Sequence, residues 1–342
     1  MNSSRILPNI CVAGCGHWGK NLIRNFHKLG CLHGVSDSDA VRLQTFRAQY
    51  SVKAYGNFEQ ALLDPDVDAV ALATPAEQHA PMTIAALNAG KDVFVEKPLA
   101  LKVQDGMEMV AMARRQNRVL MVGHLLLYHP AILKIKELLD SGDLGRLEYI
   151  YSNRLSMGKI RREENALWSF APHDISVIVM LTGELPVQVS AFGGAYVQPN
   201  IADVTVSNLL FNHGTRAHIF VSWLHPYKEQ RLVVIGTKKM VVFDDSRATD
   251  KLVFYDKQID FENGNFQVTQ PKACPVPLPD IEPLFAECQH FTECVRDRRT
   301  PRTTGEDGVM VLQVLQACQR SLQMNGEPVQ VSALAERQVA AL

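Results

Sequence analysis

Residues 10–37 restrict the possible folds more than any other stretch of the chain. Ile10-Cys11-Val12-Ala13 is an apolar run of strand length, and it leads straight into Gly14-Cys15-Gly16-His17-Trp18-Gly19. Apolar residues then recur at Leu22, Ile23, Phe26 and Leu29, the period of a helix with one buried face, and Gly30 closes it. A second β-rich run, Cys31 to Ser36, ends in Asp37, 18 residues past the last glycine. Gly14 permits a tight turn out of the strand, and Gly16 lets backbone approach a pyrophosphate. Gly19 lets the helix pack on the strand with its N-terminus facing the phosphates, and His17 and Trp18 share that turn. A carboxylate at Asp37 would accept hydrogen bonds from adenosine ribose hydroxyls and repel a 2′-phosphate. No arginine follows in Ser38-Asp39-Ala40. The pattern predicts a dinucleotide site, with NAD favoured over NADP.

The alternation continues through a helix at Asp39 to Tyr50, a strand at Lys53 to Tyr55, a helical turn at Phe58 to Leu63 and a strand at Asp68 to Ala73. Thr74-Pro75 is where the chain must turn over the cofactor. His79 follows closely, placed either to reach the cofactor or to pack and cap the helix from Gln78 to Ala89. Asp92 to Val95 is the next strand, Val103 to Arg115 a helix, and Val119 to Val122 a strand that ends at Gly123-His124. Six strands alternating with helices predict an α/β unit, a doubly wound parallel Rossmann sheet, complete near residue 124. The fifth strand stops in Glu96-Lys97-Pro98 because a prolyl nitrogen cannot continue the ladder. Ligands of such sheets collect beyond the carboxyl ends of the strands. Glu96 and Lys97 therefore stand either at the rim of a crevice or as solvated charges at a strand end.

Residues 125–342 read as a second, α+β unit. A helix from Pro130 to Ser141 precedes about six strands with short turns, among them Asn212-His213-Gly214 and Gly236-Thr237-Lys238. This predicts a mostly antiparallel open sheet with helices on one face. The other face is expected to meet a second copy of the chain, giving a homodimer or homotetramer. A proline-rich connection at 271–283 leads to two closing helices, near Leu284 to Arg296 and Gly305 to Met324. A net charge of −1 gives no electrostatic reason to expect nucleic acid or an anionic membrane as partner. The seven cysteines are scattered and fit neither a disulfide framework nor a zinc pattern, which points to a reducing compartment. No apolar run approaches the roughly 18 residues that span a bilayer. The N-terminus, Met1 to Pro8, has no apolar signal core. A cytoplasmic protein that binds a small molecule is expected.

Lys159, Arg161 and Arg162, with Arg154 just before them, concentrate basic charge ahead of Asn165 and Trp168. Such a loop either holds a carboxylate or diphosphate, with arginine suited to bidentate contact, or is solvated and balanced by Glu163 and Glu164. Pro172 is compatible with a helix start, placing His173 in an N-terminal turn, where the dipole disfavours imidazolium and suits a general base. A structural histidine is the other reading.

Gly14 to Gly19, then Glu96-Lys97-Pro98, then His173-Asp174 opening a helix in an α+β domain, together resemble the Gfo/Idh/MocA family of sugar and inositol dehydrogenases. The likeness covers essentially the whole chain, and Glu-Lys-Pro is its most specific part. It implies that Lys97 binds and polarises the reacting hydroxyl, that His173 is the general base, that Glu96 lies beside the nicotinamide ribose and that Pro98 is often cis. Many members carry an aspartate four residues before the histidine, where this chain has Ser169, so the substrate hydroxyls must be held differently. Arg161, Asn165, Trp168 and Asp174 resemble the nucleotide-sugar branch, close to dehydrogenases of UDP-N-acetylglucosaminuronate. His124, Tyr128 and Arg154 are further candidate substrate contacts. The expected activity is hydride transfer between a secondary hydroxyl of a sugar, nucleotide sugar or uronate and NAD. An NAD-dependent glycosidase and a non-catalytic NAD-binding regulator are the alternatives on the same scaffold.

Overall fold

A computed structural model describes residues 7–331 apart from 258 and 263; the expectation for Met1 to Pro8 lies almost wholly outside the described residues. The first unit comprises the chain up to Tyr128 together with Ile281–Leu312. Its elements alternate: β1 (Ile10–Ala13), α1 (Gly19–Lys28), β2 (Leu32–Ser36), α2 (Ala40–Tyr50), β3 (Lys53–Tyr55), α3 (Phe58–Leu63), β4 (Ala69–Leu72), α4 (Ala76–Asn88), β5 (Asp92–Glu96), α5 (Val103–Arg115) and β6 (Leu120–Gly123). A 3-10 turn, Leu125–Tyr128, follows. The six strands are parallel, in the order β3-β2-β1-β4-β5-β6. Every residue of β1, β4, β5 and β6 is buried, as helices on both faces require. Strand order reverses between β1 and β4, the place where such sheets open a ligand crevice. Leu22, Ile23 and Phe26 of α1 are fully buried, each contributing about 1.5–3 kcal/mol.

The second unit comprises His129–Asp280 and the chain from Gln313 onward. It begins with α6 (Pro130–Asp140), β7 (Leu147–Leu155), α7 (Ala166–Thr182), β8 (Gln188–Gly194), β9 (Val204–Leu210), β10 (Arg216–Ser222), β11 (Glu229–Gly236), β12 (Lys239–Asp244) and β13 (Leu252–Asp256). A small hairpin, β14 (Ile259–Glu262) with β15 (Asn265–Val268), precedes β16 (Ala273–Pro275). Along the chain α8 (Pro283–Asp297) and the start of α9 (Gly305–Gln323) fall in the first unit, and the rest of α9 and β17 (Val329–Gln330) in the second. The main sheet has nine strands, β16-β13-β12-β11-β7-β10-β9-β8-β17. It is mostly antiparallel but larger than the six strands expected, and β7 pairs with β10 in parallel. The chain leaves β7 through α7 and returns through the β8–β9–β10 meander, which brings β10 back in the same direction as β7.

The two units are not contiguous in sequence, as a division at residue 124 would have made them. Helix α8 and the start of α9 belong to the first. The reason is local: Phe291 of α8 packs edge-on against Phe26 of α1 and Phe94 of β5, with ring centroids at 6.3 and 5.7 Å. Among the described residues, no helix is long and apolar enough to cross a membrane.

Candidate active site

In the first unit, the glycine turn at the end of β1 is built as its residues require. Gly14 has φ +91° and lies so close to β4 that a Cβ would sit 2.7 Å from the Ala73 carbonyl oxygen. A Cβ on Gly19 would meet the Gly14 oxygen at 1.7 Å, so only glycine lets α1 start there. At Gly16 the nearest group a Cβ would meet is the Arg42 guanidinium, at 3.9 Å. Backbone there is open to a ligand, and His17 beside it is exposed. Asp37 accepts from the backbone N–H of Cys15 at 2.7 Å and of Asp39 at 2.8 Å, tying the glycine turn to the end of β2. Burial, then Asp37, pushes the Cys15 thiol up to about 12, so it stays protonated.

Arg42 was not foreseen. From the first turn of α2 its guanidinium reaches Asp37 at 3.1 Å and Asp39 at 3.1 Å. Attention to residues 38–40 alone missed it, although the capping Asp39, which accepts from the Arg42 N–H at 3.0 Å, turns the chain back over Asp37.

Glu96 ends β5 and is only 8% exposed. The Trp18 indole N–H donates to its Oε1, so the glycine loop and the end of β5 are one constellation. The Lys97 backbone N–H approaches Oε2 at 3.3 Å. Burial raises the Glu96 carboxyl to about 7, against the lowering effects of Trp18 and Lys97. The Lys97–Pro98 bond is cis. His79 is buried, its ring nitrogens 2.8 Å from the Pro98 carbonyl and 2.9 Å from the Thr74 carbonyl. It thus clamps the Thr74-Pro75 turn to the Lys97-Pro98 turn, the packing role that was one of its two readings. His124 is 1% exposed, with no hydrogen-bond partner for either ring nitrogen among the described residues. Burial, then the charge of Lys97, pulls its imidazole down to about 4, leaving it neutral. Tyr128 turns inward: its hydroxyl is 3.2 Å from Thr303, Arg302 covers its ring at 4.8 Å, and burial keeps it protonated. Both side chains are buried.

In the second unit, α7 starts earlier than expected. Asn165 caps it, accepting from the Trp168 N–H at 3.1 Å, and Pro172 sits inside the helix. His173 is therefore near the middle of α7, so the dipole argument for its basicity fails. Ser169 lies one turn before it on the same face and is buried. Asn165 and Trp168 both donate to Gln319 Oε1 of α9, at 2.8 and 3.0 Å, which makes them ties between helices. Arg154 of β7 forms a two-pronged pair with Asp174, Nε to Oδ2 at 3.0 Å and Nη2 to Oδ1 at 3.1 Å, and Ser152 donates to Oδ1 at 2.6 Å. The two residues read as separate substrate contacts are thus engaged with each other. Arg161 is exposed and pairs with Glu164 at 3.1 Å.

A glycine turn, an acid closing β2 and a parallel sheet with a reversed strand order define the dinucleotide-binding oxidoreductases. The chain matches the family model described as "Oxidoreductase family, NAD-binding Rossmann fold" over residues 8–124 and the GFO/IDH/MocA C-terminal domain over residues 132–242. It belongs to the Gfo/Idh/MocA family. It is 27% identical to the UDP-N-acetylglucosamine 3-dehydrogenase of Acidithiobacillus ferrooxidans over 88% of this chain and 93% of that one. A solved structure of that enzyme superposes with TM-score 0.84 at 26% identity, covering 94% of this chain and 99% of the other. The scyllo-inositol 2-dehydrogenase (NAD(+)) of Bacillus subtilis is 27% identical over 94% of this chain and 95% of its own length.

Proposed function

We propose that the protein is an NAD-dependent dehydrogenase acting on a secondary hydroxyl of a sugar, with nucleotide sugars as its substrate class. The observation that carries this reading is the Glu96-Lys97-Pro98 turn, held to the glycine loop through Trp18 at the carboxyl end of a Rossmann sheet. Similarity to a UDP-N-acetylglucosamine 3-dehydrogenase over nearly the full length of both chains supports the substrate class.

Gly14, Gly16 and Gly19 with the start of α1 would hold the pyrophosphate, Asp37 the adenosine ribose and Glu96 the nicotinamide ribose. Bound NAD supplies the hydride acceptor. His173 takes the hydroxyl proton as the carbinol hydride leaves, so that one hydride and one proton are removed and the alcohol becomes a ketone. Lys97, cationic, stabilises the negative charge that grows on the same oxygen. With Arg154 and Asp174 paired, the exposed basic loop around Arg161 is left to meet a diphosphate. The sheet face that carries Tyr149, Tyr151 and His218 is the surface through which two copies would join.

Following NADH formation with UDP-N-acetylhexosamines, UDP-uronates and free inositols tests the assignment. Turnover with a UDP-sugar is expected. Turnover with inositols alone would move the substrate class to polyols, and no reduction of NAD by any secondary alcohol would overturn the dehydrogenase reading.

A further inference from the structure

Two contacts set helix α8 against β5 with the chain running the opposite way. Near its C-terminal end, Arg298 pairs with Asp92 at 2.6 Å, at the start of the strand. Further back, Phe291 meets Phe94. One turn earlier still comes Glu287, about 6 Å along the helix axis. Two residues on from Phe94 comes Glu96, about 6.6 Å along the strand and on the same face. The register therefore sets Glu287 opposite Glu96. A Cβ on Gly123, the β6 residue paired with Glu96, would lie 3.0 Å from Glu96 Oε2. The missing side chain leaves that face to the two acids.

Glu287 is 0% exposed, and neither of its oxygens has a hydrogen-bond partner among the described residues. A carboxylate in such a place would be an uncompensated buried charge, which proteins avoid by keeping the proton. A protonated carboxyl is itself a donor that needs an acceptor, and the group on the facing strand whose charge bears on Glu287 is Glu96.

We propose that Glu287 is a positioning residue: it keeps its proton and donates it as a hydrogen bond to the Glu96 carboxylate, so that the pair carries one proton and one negative charge and Glu96 stays an acceptor for the nicotinamide ribose. This deepens the role given to Glu96 above and rests on it. The titratable groups facing Glu287 are Glu96 from β5, Tyr128 from the 3-10 turn and Cys288 beside it, the last two kept protonated by burial. Those facing Glu96 are Lys97 and Glu287, with the Trp18 indole as its other donor. Burial raises the Glu96 carboxyl, and donors oppose that rise. Loss of the Glu287 donor should therefore push it higher still.

The test is NAD affinity by calorimetry across pH 5.5–9 on the full chain. Glu287→Leu should move the acid limb upward, weakening NAD binding at pH 6.5 by about tenfold, the effect of one pKa unit, and recover near pH 9. Glu287→Gln, which keeps a donor, should follow the wild type. Coincident profiles for Glu287→Leu and wild type would overturn the proposal. Should the leucine variant fail to fold, the infrared difference between wild type and Glu287→Gln at pH 7.5 must show a protonated carboxyl, and its absence overturns the proposal equally. Glu96→Ala separates the two readings. If it binds NAD as wild type does, the role of Glu96 fails, whatever Glu287 does.

Discussion

Asp37 and Arg42 show how one side chain hides behind another in sequence. The carboxylate holds the glycine turn through Cys15 and also pairs with the Arg42 guanidinium. Asp37→Ser removes the repelling charge and frees Arg42. Like charges about 4 Å apart near a surface repel by roughly 4 kcal/mol. A rise of at least tenfold in the NADP/NAD ratio of kcat/KM is therefore expected, and adding Arg42→Ala should reverse it. Unchanged cofactor preference would show that Asp37 does not face the ribose. His124 makes a second residue-scale prediction. Its folded pKa, about 4, lies below the ordinary 6.5, so the unfolded chain binds more protons between those values. Its contribution is complete above pH 6.5 and is lost as pH falls toward 4, amounting to roughly 3 kcal/mol. Urea unfolding at pH 7.5 and 5 should show this slope in the wild type and a flatter one in His124→Leu. Burial also explains why the sequence misplaced this residue. A histidine after a strand looks the same whether its ring faces a crevice or the core.

At the scale of elements, the first unit was legible because β1, β4, β5 and β6 are buried along their whole length and read as largely apolar runs. Helix α7 was not, because Pro172 looks like a first-turn proline. The signal that would have corrected it is Asn165, three residues before the N–H it caps at Trp168. Asn165→Ala should destabilise the chain by about 1 kcal/mol from the cap alone. It also takes away one of the two donors to Gln319, so a larger loss is expected by thermal denaturation. No change would mean that α7 is held by packing alone. Strand β13 and the edge strands β16 and β17 escaped notice because short, partly exposed strands carry little periodicity.

For the whole molecule, the order of elements was enough to set the fold. It could not show that α8 returns to the first unit, since its Phe26 and Phe94 contacts join residues some 200 positions or more apart in sequence. The open sheet face, where Tyr151 and His218 stack at 5.3 Å, should bury itself against a second copy. Tyr151→Glu should lower the mass measured by light scattering toward that of one chain, and a wild-type monomer would remove the idea. The most direct measurement of the account as a whole is single-turnover NADH formation with a UDP-sugar by Lys97→Ala and His173→Ala, alongside NAD binding. Each variant should bind NAD and lose about 10²–10⁴ in rate. Wild-type turnover in either variant, on a substrate the wild type oxidises, would contradict the role given to that side chain.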